Sequence, residues 1–265
     1  MNIFMHELKA YRKATSIWTL SLMTVAVLFL SFYPSIASDM DDFTALLEGF
    51  PEPVRQAFGI QLENLGTING FYAYVFLYIA LCGAIQGMNI GVSILSKEVR
   101  EKTADFLLTK PVSRTKVLSA KLLAALVSIL LTNVFFIATV MVTASIIQTE
   151  AYSTEVMLLI SFTLLFIQLI FLALGILIAV MFPRIKSVLT VSLGTVFGFF
   201  FISMIVSIGE EGVKRYLSPF QYFDRQYIIE NSSYETTFLI VTVGIILASL
   251  ILSYVLYRRK DIHTV

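Results

Sequence analysis

The sequence predicts an all-α membrane protein with six transmembrane helices, and three observations carry that prediction. The 265 residues are 57% hydrophobic and 14% charged, with a mean hydropathy of +0.84, far more apolar than an ordinary soluble domain. Six stretches each hold about 20 or more mostly apolar residues, the length a helix needs to carry its backbone hydrogen bonds through hydrocarbon. Lys and Arg gather between particular stretches instead of spreading evenly. No soluble domain, low-complexity tract or sequence repeat interrupts the pattern, so residues 1–265 are expected to form a single transmembrane domain.

The elements follow in chain order. Ile3, Phe4, Leu8 and Tyr11 recur at helical spacing opposite His6, Glu7, Lys9 and Lys13, which predicts an N-terminal amphipathic helix lying in the inner interface. The first span is expected at 17–36; its apolar run is about 20 residues, longer than the 7 to 15 of a signal-peptide core, so it is expected to stay. In FPEPVRQAFG, Pro53 can start a short outer helix with Val54, Ala57 and Phe58 on one face. The second to fifth spans are expected at 71–95, 118–147, 156–182 and 188–208. Before the sixth span at 238–257, GVKRYLSPFQYFDRQYI is rich in Tyr and Phe, as suits a short element at the outer interface.

Charge sets the expected orientation. With the N-terminus, the loop at 96–121, the turn at 183–187 and the C-terminus on one side, that side holds 15 of the 19 basic residues and leaves 13 of the 18 acidic ones outside. The positive-inside rule makes it the cytoplasmic side. A net charge of +1 offers nothing for nucleic acid as a partner.

Residue inventory narrows the chemistry. No G-x-x-x-x-G-K-[ST] is present, so the chain lacks a phosphate-cradling loop of its own, and no catalytic, cofactor-binding or metal site is expected. His6 and His263 sit in opposite tails without a Cys or carboxylate cluster at ligand spacing, and Cys82 lies alone in an apolar run. No span carries a charged residue or His away from its ends, and none has a central Pro. Proton-coupled carriers keep such groups at depth, so the driving energy is expected from outside the membrane.

The spans offer small and neutral polar residues instead. Gly83, Gly87 and Gly91 repeat every fourth residue and so line one stripe of the second span, with Gln86 and Asn89 nearby. Gly194 and Gly198 mark the fifth span. Such residues serve close helix packing or line a translocation path.

The window SKEVREKTADFLLTKPVSRTKVLSAK, 96–121, holds seven of the 19 basic residues and more order than topology requires. Lys97 to Lys110 are good helix formers, with Val99, Phe106 and Leu107 on one face and Glu98 and Lys102 as an i, i+4 pair. Pro111 ends that helix and Ser113 can cap the next. The expected product is a cytoplasmic helical elbow suited to docking a soluble partner.

Here the chain resembles the integral-membrane permease subunits of type-two ABC transporters. The resemblance rests on Glu98, Thr103, Leu107, Leu108, the run Pro111, Val112, Ser113, Arg114, and Lys121, together with LEGFPEPVRQAFG, NGF entering the second span and LSPFQYFD. Lys102 stands where many members carry Gly. The resemblance implies a coupling helix between the second and third spans, its surface including Glu101 and Phe106, on which a separate ABC ATPase, in two copies, would dock. ATP and Mg would be held by that partner. It also implies a second six-span permease, identical or related, meeting the first and fifth spans, with the second and fifth spans contributing to a substrate path. The expected product of these features is an ATP-driven exporter in a bacterial plasma membrane, surrounded by lipid. The apolar spans favour an amphipathic or lipophilic cargo such as a peptide, antibiotic or lipid. A non-transporting scaffold or sensor that recruits a cytosolic partner, and a secondary carrier, are the competing classes.

Overall fold

The computed structural model describes residues 3–60, 62, 64–100, 113–148, 151–182, 185–208 and 212–259. The described elements are helices: α1 (Ile3–Ser38), α2 (Met40–Glu48), α3 (Glu52–Ala57), α4 (Ile68–Arg100), α5 (Arg114–Ile147), α6 (Thr154–Met181), α7 (Val188–Ser207), α8 (Arg225–Asn231) and α9 (Thr236–Arg259). Short 3-10 turns at Val213–Leu217 and Pro219–Gln221 precede α8. Six of these helices, α1, α4, α5, α6, α7 and α9, are long and apolar enough to cross a membrane.

Serines set several helix starts. Ser113, Ser153 and Ser187 each accept a hydrogen bond from the backbone N–H three residues on, opening α5, α6 and α7, and Asp224 does the same for α8 from Gln226. Each cap satisfies a donor the helix cannot, worth about 1 kcal/mol. At the other end of α8, Ser232 adopts φ 47°, the left-handed turn that stops the helix.

The N-terminal segment is not a separate interfacial helix. Residues 3–38 form one helix of 36 residues, because nothing before Pro34 breaks it. At 1.5 Å per residue α1 runs about 54 Å, some 24 Å beyond a hydrocarbon core of about 30 Å. The second span is likewise longer than expected, as part of a 33-residue helix, and the third as part of one of 34. The first turns of α1 meet the last turns of α4 and the first turns of α5.

Packing divides the bundle into two helix pairs. α4 lies along α6 at the centre and α1 lies along α5, while α7 packs on α4 and α9 on α6. α4 and α6 are the most enclosed of the long helices, and α1, α7 and α9 turn much of their apolar surface outward. At the end opposite the 96–121 window, the aromatic segment before α9 turns into the bundle. Phe220, Tyr222 and Phe223 are buried, Phe220 against Phe171 and Phe200, and Phe223 stacked 5.2 Å from Phe166. Arg215 closes this cap by a two-pronged bond to Glu235 at 2.6 and 3.2 Å, with its guanidinium 4.3 Å from the Phe238 ring. α3 runs Glu52–Ala57 with Pro53 in its first turn, and Val54 and Phe58 stay exposed.

Candidate functional site

Two places gather the residues that sequence reasoning singled out. The first is the foot of the bundle, where α4 and α5 deliver the two arms of the 96–121 window. Glu101, Lys102, Thr103, Phe106, Leu107, Leu108, Pro111 and Val112 lie outside the described residues, as does the elbow expected there. Glu98 and Arg114 sit on the last turn of α4 and the first of α5, their side chains likewise outside the description. Ser113 is the α5 cap, its Oγ 3.3 Å from the Lys116 amide.

What holds the two arms together is a buried ion pair. Lys121, on the third turn of α5, donates to the Ile94 carbonyl of α4 at 2.7 Å and pairs with Glu7 of α1 at 3.3 Å. The two side chains are 1% and 9% exposed. One turn along α1, Tyr11 meets Ser93 at 3.1 Å, and the Lys97 ammonium stands 6.0 Å from the Tyr11 ring. Thus the first turns of α1 clamp the arm that leaves α4 and the arm that enters α5. Glu7, expected on the solvated face, is buried. Its position was legible after all: Phe4, Glu7, Leu8 and Tyr11 are one i, i+3, i+4, i+7 stripe, and a carboxylate inside an apolar stripe asks for a buried cation.

The second place is the bundle centre. Gly83, Gly87 and Gly91 of α4 face α6 directly: a Cβ on Gly87 would stand 2.5 Å from the Gln168 carbonyl oxygen, and one on Gly91 3.1 Å from the Cα of Gly175. Only glycine allows backbones that close. Beside the stripe, an uncharged polar chain crosses four helices. Gln168 of α6 donates to Gln86 of α4 at 2.8 Å, and Gln86 donates to Thr132 of α5 at 3.0 Å. Asn133 of α5 donates back to Gln168 at 2.6 Å, and Thr132 meets Thr19 of α1 at 2.9 Å. Gln86, Thr132, Asn133 and Gln168 are buried. The chain therefore joins the α1–α5 pair to the α4–α6 pair through groups that carry no charge. Asn89 lies half-buried on the neighbouring face. Gly175, Thr132, Asn133 and Gln168 were not singled out by sequence, since isolated polar or small residues in an apolar run have no periodic signal.

Gly194 and Gly198 behave differently. Both are exposed on α7, and a Cβ on either would meet no atom of this chain within 4 Å. Among the described residues no group of three His, Cys, Asp or Glu side chains is placed to hold a metal ion.

Residues 1–262 match the family model described as ABC-2 family transporter protein. No curated protein matches the chain.

Proposed function

The chain belongs to the ABC-2 family of transporter proteins, a permease of the multi-pass membrane type, and from that premise we propose that it is the membrane subunit of an ATP-driven exporter. The observation that carries the reading is the family match across nearly the whole chain, with the basic window between two long helices bound to a third. A separate ABC ATPase docks beneath the 96–121 window on the cytoplasmic side, where both termini also lie. It supplies the ATP and Mg chemistry, and this chain is not itself an enzyme. Closure of two ATPase subunits pushes on the elbow between α4 and α5.

The foot of the bundle gives such a push somewhere to go. Because Lys121 and Glu7 tie α5 to α1, and Lys121 also holds the Ile94 carbonyl, displacement of the window moves α1 and α5 together. The neutral chain at the centre offers hydrogen bonds that can re-form as the α1–α5 pair shifts against the α4–α6 pair. A second six-span permease, identical or related, covers the exposed faces of α1 and α7, and the cargo, an amphipathic or lipophilic peptide, antibiotic or lipid, passes outward between the two halves.

The test is a pull-down of the tagged, detergent-solubilised chain from its native cells, with the copurifying proteins assayed for ATP hydrolysis. The reading expects a stoichiometric ATPase that is lost when Glu98→Ala and Arg114→Ala are combined. A clean chain without ATPase, or full transport retained by that double variant, would contradict it.

A further inference from the structure

At the end opposite the window, a cavity of about 210 Å³ lies between the last turns of α1, the start of α4, the entry to α6, and α8. Its wall includes Tyr33, Thr67, Asn69, Tyr152, Ser153 and Ile229. A cavity of about 150 Å³ is enough to hold benzene, so this one takes a group of several heavy atoms. Tyr33 is on the buried side of α1, which sets the cavity inside the chain and away from the exposed α1 and α7 faces.

Asn69 is 7% exposed, and only half of its carboxamide is used. Its Nδ2 donates to the Ser153 carbonyl at 3.0 Å. A carbonyl can only accept, so that bond fixes which way the amide faces and leaves Oδ1 buried without a partner. Such an acceptor is costly until a donor reaches it. The neighbouring hydroxyls send their protons elsewhere, Tyr33 to the Gly66 carbonyl at 3.0 Å and Thr67 to the Asn64 carbonyl at 2.9 Å. What these three side chains turn to the cavity is therefore acceptor and ring.

The wall selects among ligand classes. Among its described residues there is no Lys, Arg or His to hold an anion. One unspent carboxamide oxygen falls short of the six or more oxygens that a hard metal ion takes. Tyr faces beside an acceptor suit an organic cation, whose charge the rings attract and whose N–H the acceptor receives. The surrounding charge agrees: the segments 37–67, 148–155 and 208–237 at this end carry 13 acidic residues against four basic ones.

We propose that this cavity binds an organic ammonium group, which donates an N–H to Asn69 Oδ1 and lies against the rings of Tyr33 and Tyr152. The ammonium can belong to the headgroup of an ethanolamine lipid in the bilayer or to a soluble amine, and both present the same chemistry to Asn69. Binding of this kind needs no ATPase.

The experiment titrates the purified membrane assembly in neutral detergent with phosphatidylethanolamine and follows the tightest-bound equivalent by native mass spectrometry. The comparison ligands are N-acetyl phosphatidylethanolamine, which keeps the lipid and loses the ammonium, and ethanolamine. Phosphatidylethanolamine or ethanolamine is expected to bind, with Asn69→Leu weakening it about tenfold or more, Tyr152→Leu weakening it less and Tyr152→Phe leaving it near wild type. Ala151→Trp, a change at an exposed position of the wall that leaves Asn69 in place, is expected to weaken binding by occlusion, and serves if Asn69→Leu does not fold. Competition by ethanolamine at matched concentration would assign the site to a soluble amine, and its failure to compete would assign it to the lipid headgroup. Binding of N-acetyl phosphatidylethanolamine as tight as that of phosphatidylethanolamine would overturn the proposal, as would equal binding by wild type, Asn69→Leu and Ala151→Trp, or no binding of either amine.

Discussion

The glycines of α4 and those of α7 share a spacing and differ in everything around them. Gly83, Gly87 and Gly91 are sealed against α6, where a single added carbon would strike backbone or a packed side chain. Gly194 and Gly198 are open to the outside of the chain. The lesson is that small residues four apart announce a close approach but not the partner that makes it. In α4 the partner is within the chain; on α7 a second chain is the occupant that the proposed function supplies. The first stripe belongs to folding, and the second, in the proposed assembly, faces another chain.

Substitutions can break or sharpen that contrast. Gly87→Leu is expected to have the largest effect, since its side chain would have to displace the α6 backbone at Gln168, and well-folded protein should be lost from size-exclusion profiles. Lys121→Met comes next. It leaves Glu7 charged and buried, a loss of about 3–5 kcal/mol by thermal or denaturant unfolding, which pairing with Glu7→Gln should largely recover. Gln168→Leu leaves the buried Gln86 carbonyl oxygen without its donor and takes one of two acceptors from Asn133, and should lower stability by about 1–3 kcal/mol. Ser113→Ala removes the cap of α5 and should cost about 1 kcal/mol. Smallest of all, Gly194→Leu with Gly198→Leu should change the stability of the isolated chain by less than about 0.5 kcal/mol, while separating paired permeases in a cross-linking assay. A folding defect there as severe as that of Gly87→Leu would erase the distinction between the stripes.

How much of this was legible in the sequence follows from the kind of signal each feature carries. The six spans were, because a run of apolar residues long enough for a bilayer has few other uses, and the Ser113 cap was, because it follows Pro111 and precedes a helical run. The aromatic segment at 212–228 was expected as a short element at the outer interface, and the sequence did not say that Phe220, Tyr222 and Phe223 turn inward onto the bundle. Ring-rich composition is the same in both settings, and only the neighbouring helices decide. Glu7 was assigned to the solvated face by its charge although its register placed it with Phe4 and Tyr11. The Gln86, Thr132, Asn133 and Gln168 chain brings together residues from three separate helices, and no single-helix pattern contains that information.

The central claim is that the chain is half of a membrane assembly driven from its basic end. The most direct measurement is the mass of the assembly purified in lipid nanodiscs through a tag on this chain. The account predicts two six-span chains together with bound ATPase subunits. A single 29.7 kDa chain that carries no partner would contradict it.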